Sequence, residues 1–218
     1  DFNHDGLQDY ALNGTQYVEG TGFTYDLDLY QNTGDGFEAV PAWLPGAQNS
    51  SFKVVDLNND MLLDLVIFGF DIDLEPMFKV YLNQEGTLEF SQDLAPINNG
   101  KMAYADFNAD GFMDLVVVGQ DEEYEPYLAV YFNDGEGAFE VNIIESEGLD
   151  SSSVDVGDLN NDGYYDFIVI GDDADYNAWT KVFLYNSADN SFTKAEETGL
   201  FNLGSQGNVR LFHLNEDN

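Results

Sequence analysis

The sequence predicts an all-β fold, a β-propeller of four-stranded antiparallel blades, with four blades and one extra inner strand. Three observations predict it. An acidic nine-residue phrase begins at residues 1, 56, 106, 158 and 213, and a period near 50 residues indicates a propeller, solenoid or array. Short apolar runs separated by turn residues fill each interval. No segment shows a sustained helical period.

Each interval is predicted to contain four strands in the same order. An inner strand precedes the phrase at residues 52–55, 102–105, 154–157 and 209–212. A second strand follows it at 10–13, 65–68, 115–118 and 167–170. A third strand is expected at 24–30, 78–82, 128–132 and 181–185, and a fourth follows a turn such as Asn133-Asp134-Gly135. The second strands are continuously apolar, which is typical of strands buried on both faces.

The whole chain, residues 1–218, is predicted to be a single β-propeller or an arc of a larger one. Its repeat units begin near residues 1, 51, 101, 153 and 208. Two arrangements of the blades stay open, because the first repeat unit lacks an inner strand and the last repeat unit contains little more than an inner strand. Residues 208–212 either complete the first blade of a four-bladed ring, or the chain is an arc of a propeller of about seven or eight blades.

The repeated phrase is a candidate calcium loop. Asp or Asn stands at positions one, three, five and nine, and oxygen donors at alternate positions of a tight turn suit calcium. The backbone carbonyl at position seven is the expected fifth protein ligand. The four complete copies give these candidate metal residues: Asp1, Asn3, Asp5, Leu7, Asp9, Asp56, Asn58, Asp60, Leu62, Asp64, Asp106, Asn108, Asp110, Phe112, Asp114, Asp158, Asn160, Asp162, Tyr164 and Asp166.

The alternative is that these residues only form polar turns between strands, which Asp, Asn and Gly also favour. Repulsion among three close carboxylates, about 1 kcal/mol per pair at ~4 Å in water, favours the metal. Position six is Gly in three copies and Met61 in the second. If that position needs a left-handed backbone, Met61 costs about 1–2 kcal/mol and weakens its site. The fifth copy begins with His213 and is not expected to bind, so three to four structural Ca²⁺ ions are expected.

Composition excludes several classes of function. Six basic residues against 42 acidic ones, a net charge of −36, exclude nucleic-acid binding and disfavour an anionic membrane surface. A 44% hydrophobic content excludes disorder. There is no Cys for disulfides or thiolate metal sites, and no apolar stretch is long enough for membrane insertion. Calcium sites of modest affinity predict an extracellular, cell-surface or periplasmic protein.

The phrase D-x-[DN]-x-D-G-x-x-D, followed by an apolar strand ending in Gly, resembles the FG-GAP / VCBS repeat family. Phe68-Gly69 supplies the FG pair itself. The resemblance covers essentially the whole chain. It implies the calcium-binding propellers of integrin α-subunits and secreted bacterial proteins, with the calcium loops between first and second strands on the lower face. Met61 and His213 depart from the family's pattern.

The expected function is recognition of a protein or glycan, or adhesion, by a calcium-stabilised module of a secreted or cell-surface protein. The expected ligand surface is the set of acidic-aromatic loops on the opposite, upper face, at residues 70–76, 120–126 and 172–179. These loops could also be plain solvated loops of an acidic protein or of a ligand-free scaffold. The chain has none of the common nucleophile, zinc-protease or phosphate-loop motifs, so an enzyme is not expected.

The enzymatic alternative is a polysaccharide lyase, because similar calcium propellers occur in lyases that resemble this family. A lyase needs a catalytic base with basic residues that neutralise a uronate. The chain has six such basic residues, of which Lys53, Lys101 and Arg210 fall on the predicted inner strands. A cluster of them at the mouth of a channel would favour the lyase.

Overall fold

The computed structural model describes residues 1–144, 149–173, 175–196, 199–204 and 207–212. β-strands are the only regular secondary structure of this part of the chain, which confirms the all-β prediction. They are β1 (Tyr10–Val18), β2 (Gly22–Asn32), β3 (Phe37–Pro45), β4 (Gln48–Val55), β5 (Asp64–Phe70), β6 (Pro76–Gln84), β7 (Thr87–Asp93), β8 (Asn98–Ala105), β9 (Asp114–Gln120), β10 (Pro126–Asn133), β11 (Phe139–Ile143), β12 (Asp150–Gly157), β13 (Asp166–Asp172), β14 (Ala178–Asn186) and β15 (Ser191–Lys194).

The strands form four sheets in which chain neighbours pair. Three sheets have four strands each, β4 to β7, β8 to β11 and β12 to β15, and these are the predicted blades. The first sheet has only β1, β2 and β3, as its missing inner strand implies. The antiparallel pairing is regular from the start of each second strand: Asp64 pairs with Val55, and Asp166 with Gly157.

The second strands of the complete blades are buried as predicted. Every residue of β5 is buried, and β9 and β13 are buried up to their last residue. The corresponding strand β1 has seven exposed residues of nine, and among the described residues it pairs with β2 alone. The strand β1 also includes Gly14 to Val18, where the sequence predicted a loop between the second and third strands. The strand continues there because Gly14 is extended and Tyr17 packs on Phe23 across the hairpin, with ring centroids 5.4 Å apart.

The predicted extra inner strand at residues 208–212 is wrong as a β-strand, because residues 207–212 have no ladder. Two of their N–H groups bond instead to side chains of β12. The amide nitrogen of Val209 lies 3.3 Å from Ser153 Oγ, and that of Leu211 lies 2.6 Å from Asp155 Oδ2. The segment therefore follows β12 without joining its sheet. The fifth copy of the phrase, from His213, lies outside the described residues.

The chain divides into two compact units, each with its own apolar core. The first contains Asp1–Asn98 and Asn133–Ala138, and the second contains Asn99–Phe132 and Phe139–Asn218. In the first unit the core includes Leu27, Ala47, Leu65, Ile67 and Met77. In the second unit the core includes Phe107, Val116, Val130, Phe167 and Val169. No helix of the described residues is long and apolar enough to span a membrane.

Candidate metal loops and recognition loops

The acidic phrase forms the connection between the inner and second strands of each complete blade. Position one follows the inner strand directly, and position nine is the first residue of the second strand, as Asp64, Asp114 and Asp166 are. The two strands pair up to the residues that flank the loop, so this pairing holds the two ends of the loop together. The sequence pattern therefore placed the loops correctly between strands.

In the third loop the side chains at positions one, three and five converge. The amide nitrogen of Asp110 lies 3.0 Å from Asp106 Oδ1 and 3.1 Å from Asn108 Oδ1. The amide nitrogen of Gly111 donates to Asp106 Oδ2 at 2.9 Å, and Asn108 Nδ2 donates to Asp110 Oδ2 at 2.8 Å. The first and fourth loops have the same bonds among Asp1, Asn3, Asp5 and Gly6 and among Asp158, Asn160, Asp162 and Gly163.

The position-seven residues attach the end of each turn to position five. Their amide nitrogens donate to the position-five Oδ1 at 2.8–2.9 Å, and they are Leu7, Leu62, Phe112 and Tyr164. This bond orients the peptide unit that follows the turn. The ligand role expected for the position-seven carbonyl stays a prediction.

The second loop differs at the position that the sequence singled out. Met61 has φ +70°, against +87°, +96° and +92° for the glycines at the same position, so the requirement for a left-handed backbone is confirmed. Met61 still donates its N–H to Asp56 Oδ2 at 2.9 Å. Asp60 donates its N–H to Asn58 Oδ1 at 3.1 Å, while Asp56 Oδ1 is buried without a hydrogen-bond partner. A buried carboxylate oxygen of this kind fits a bound cation.

Position nine has a second task that sequence reasoning missed. Both oxygens of the buried Asp64 accept backbone hydrogen bonds, from Leu57 N at 2.8 Å and from Asn83 N at 2.7 Å. Asp166 does the same with Leu159 N at 2.8 Å and Tyr185 N at 2.9 Å. Asp9 and Asp114 follow this pattern, with bonds to Phe2 N and Phe107 N, respectively. Each carboxylate therefore ties position two of its loop to the blade, and its ligand role stays a prediction.

The residue at the end of the third strand extends this connection to the preceding loop. Asn83 Nδ2 donates to the carbonyl of Phe2 at 2.7 Å, and Asn133 Nδ2 donates to the carbonyl of Leu57 at 2.7 Å. Both asparagines are almost fully buried. Position two of one loop is therefore fixed by its own position nine and by an asparagine from the next repeat.

The acidic groups of a loop act on each other electrostatically. Burial, followed by the negative charges of Asp60 and Asp56, raises the pKa of Asp64 to about 6 despite the lowering effect of its two N–H donors. Burial, followed by the charges of Asp162 and Asp158, also raises the pKa of Asp166. A cation at the turn relieves this repulsion.

Within the described residues no group of three or more His, Cys, Asp or Glu side chains is arranged to hold a metal. Each loop brings together two carboxylates and one amide, at positions one, five and three. These are hard oxygen donors, and Ca²⁺ completes such a set with carbonyls and water. Positions one, three and five therefore fit calcium.

A second set of loops recurs between the second and third strands: residues 71–75, 121–125 and 173–177, apart from residue 174. We call them the recognition loops, after the role that the sequence predicts for them. The first residue of each is an Asp whose Oδ1 accepts the N–H groups two and four residues later at 2.9–3.0 Å. Its own N–H bonds to the carbonyl four residues on at 3.0 Å. The Asp carboxylate at the start of each recognition loop therefore closes the turn.

The fourth residue of each recognition loop is large, apolar in part and exposed. Leu74, Tyr124 and Tyr176 have φ values of +64°, +63° and +61°, and 61%, 60% and 85% of their surface is exposed. In the last loop, Asp173 Oδ2 accepts the indole N–H of Trp179 at 2.7 Å. The N–H of Asn177, followed by that indole, lowers the pKa of Asp173 to about 2.

The family model described as FG-GAP-like repeat matches residues 56–117 and 106–169, which together span more than half of the chain. The chain belongs to the FG-GAP-like repeat family. Each match begins at position one of a candidate metal loop and runs past the end of the next candidate metal loop, so it contains the last three strands of one blade and the inner strand of the next blade. Membership and the four antiparallel sheets together give a blade-based propeller fold. No curated protein matches the chain.

Proposed function

We propose that the chain is a calcium-stabilised β-propeller module for recognition of a protein or glycan by a secreted or cell-surface protein. Recognition is supported by one observation above all, the repeated exposed side chain of the recognition loops. A left-handed backbone costs a residue such as Tyr124 about 1–2 kcal/mol. Gly or Asn would close the same turn at less cost, so contact with a ligand gives a reason for Leu74, Tyr124 and Tyr176.

Calcium is supported by the loop chemistry. Positions one, three and five would hold the ion, and the ion would neutralise the carboxylates at positions one and five, whose charges raise the pKa of Asp64 and Asp166. Because the ion binds the folded loop, it adds stability by mass action. Cytosolic free calcium is too low for sites of modest affinity, so the proposal includes an extracellular, cell-surface or periplasmic location.

Calorimetry of the chelator-stripped, refolded chain tests the calcium proposal. Three to four ions are expected, with a higher melting temperature on binding. Asp110→Asn removes a charged donor of the third loop and should lower the stoichiometry by one ion. Asp35→Asn, an exposed aspartate outside the loops, makes the same charge change and should not. An unchanged melting temperature on chelation would overturn the calcium part.

Arrays of glycans and peptides test the recognition proposal, with the labelled protein as probe. Leu74→Ser and Tyr124→Ser should weaken the bound spots, while Tyr17→Ser, on the exposed strand β1, should not. Binding that all three variants leave unchanged would place recognition elsewhere.

The lyase remains the alternative from another class. Lys79 Nζ lies 2.6 Å from Asp93 Oδ1, and Arg210 Nη1 lies 3.7 Å from Asp155 Oδ1. Both basic groups thus already have carboxylate partners, which disfavours a role in binding uronates. Release of unsaturated products from polyuronates would replace our proposal by the lyase.

A further inference from the structure

We propose that the fourth blade binds a basic protein segment in which Lys or Arg alternates with apolar residues. The binding surface is the Tyr176 patch, defined as Tyr176, Trp179, Phe201 and Leu203. The proposal rests on the recognition function above and names the partner class for this blade.

Hydrogen bonds build the patch from two separate segments. Thr180, next to Trp179 on β14, donates from Oγ1 to the carbonyl of Phe201 at 2.8 Å and accepts the N–H of Leu203 at 3.2 Å. Its own N–H donates to Asn202 Oδ1 at 3.2 Å. A Cβ on Gly204 would lie 2.4 Å from Asp172 Oδ1, so the segment packs tightly against the blade.

The apolar side chains of this patch point away from the core. Phe201 is 88% exposed, Tyr176 is 85% exposed, and Leu203 and Trp179 are exposed to 52% and 40%. Neighbouring exposed apolar groups of this size mark interaction sites more often than isolated ones do. Because bonded backbone holds Phe201 and Leu203 in place, a ligand meets a formed surface and loses less conformational entropy on binding.

The charge of the patch selects a cationic partner. Asp173 and Asp175 lie in the same loop as Tyr176, and Asp172 ends the strand before it. Asp173 stays ionised at every physiological pH because its pKa is lowered to about 2. A second copy of the chain would carry its own net charge of −36 and be repelled. Opposite charge instead favours Lys or Arg, which also bind aromatic faces.

The chain itself contains this combination of a ring, a carboxylate and an ammonium group. Lys79 Nζ lies 5.3 Å from the Phe90 ring centroid and 2.6 Å from Asp93 Oδ1. At the corresponding strand position of the fourth blade, Lys181 Nζ lies 5.9 Å from the Trp179 centroid. A partner's cation at the exposed part of the patch would repeat this arrangement.

Hydrogen bonding disfavours a glycan at the same place. Sugar hydroxyls need polar groups with unused capacity beside the ring. Asp173 Oδ1 already accepts from the amide nitrogens of Asp175 and Asn177, and Asp173 Oδ2 accepts from Trp179 Nε1 and Asn177 Nδ2. The carboxylate therefore contributes charge more than hydrogen bonds.

Trp179 fluorescence provides the test, since Trp43→Phe leaves it as the single tryptophan. The probes are three capped dodecapeptides, of alternating Lys-Leu, Lys-Gly and Glu-Leu, titrated at 150 mM salt. We expect the Lys-Leu peptide to bind, and Tyr176→Ser with Phe201→Ser to weaken it about tenfold or more, the effect of losing buried aromatic contacts. The control pair Tyr17→Ser with Phe23→Ser, also exposed but on the first sheet, should change affinity less than about twofold.

Four outcomes overturn the proposal. Equal binding of Lys-Gly and Lys-Leu would mean non-specific attraction to an acidic protein. Equal loss in both serine pairs would place binding outside the patch. A Trp179 response to neutral oligosaccharides with none to Lys-Leu would make the ligand a glycan, which refutes the basic partner and keeps the proposed recognition function. No response to any probe, in a chain that circular dichroism shows to be folded, would refute both the basic partner and the recognition function for this blade.

Discussion

Replacing Asp166 by Ala should destabilise the fourth blade far more than replacing Asp162 in the same loop. Asp166 is fully buried, and its two oxygens accept N–H groups of Leu159 and Tyr185 at 2.8 and 2.9 Å. Alanine leaves the buried N–H of Tyr185 without a partner, at about 1–3 kcal/mol, and removes the part-buried bond of the Leu159 N–H, at about 0.5–1.5 kcal/mol. The expected loss in the free energy of unfolding is therefore about 2–4 kcal/mol.

Asp162 is the matched control because it too accepts two hydrogen bonds, from Tyr164 N and Asn160 Nδ2, both at 2.9 Å. It is exposed, so water replaces the lost acceptor and Asp162→Ala should cost less than about 1 kcal/mol without calcium. Either replacement removes one member of the repelling pair Asp162–Asp166, so relief of repulsion affects both variants alike.

Urea unfolding at pH 8 measures both variants, first in chelator and then in saturating calcium. Midpoints should separate at an unchanged m-value, and the Asp166→Ala melting temperature should fall by at least about 4 °C. In calcium, Asp162→Ala should lose most of the metal's stabilisation. Equal losses for the two variants in chelator would refute the structural role assigned to position nine.

Four further predictions follow from individual residues. Gly111→Ala should lose about 1 kcal/mol of stability. The loss comes from backbone strain alone, because no atom lies within 4 Å of the new Cβ. Gly14→Ala, which is equally open but has an extended backbone, should lose no stability, and urea midpoints compare the two variants. Met61→Gly should tighten calcium binding at the second loop in calorimetry, and equal affinity would show that strain there is unimportant. In chelator, the contribution of Asp64 to stability should fall as the pH rises from 3.8, the ordinary pKa of Asp, to about 6, its pKa in the folded chain. The reason is that the folded chain holds this proton more tightly than the unfolded chain does. The stability of Asp64→Asn, measured over the same pH range, should lack this slope. Asn83→Ala should cost about 1–3 kcal/mol by leaving the Phe2 carbonyl unpaired, and a change within error would exclude that bond as a link between repeats.

Repetition made most of the fold predictable from sequence. The apolar second strands stand directly after position nine in every copy, so one pattern gave the strand, its burial and the loop before it. The requirement at Met61 was predictable for the same reason, since three glycines at one position indicate a left-handed backbone. Position four has a left-handed backbone too, at His4, Asn59, Ala109 and Asn161, and only the two asparagines signalled it.

Other features depend on contacts that residue types do not reveal. Aspartate suits calcium and backbone N–H donors equally, so the pattern alone could not assign Asp64 to the latter. The inner strand expected at residues 208–212 has the right residues, but a ladder needs a partner strand, and side chains of β12 take its N–H groups. The closing role of Asp173 in a recognition loop was hidden among its acidic neighbours.

Strand β1 has the least protected amides of the first compact unit. Among the described residues it pairs with β2 alone, and seven of its nine residues are exposed, so detaching β1 from β2 exposes little apolar surface. Amide hydrogens there should exchange through local fluctuations, while those of β5 should wait for unfolding of the whole unit. In limited proteolysis, cleavage should therefore begin at the exposed hairpin of β1 and β2, before the buried strand β5 is cut.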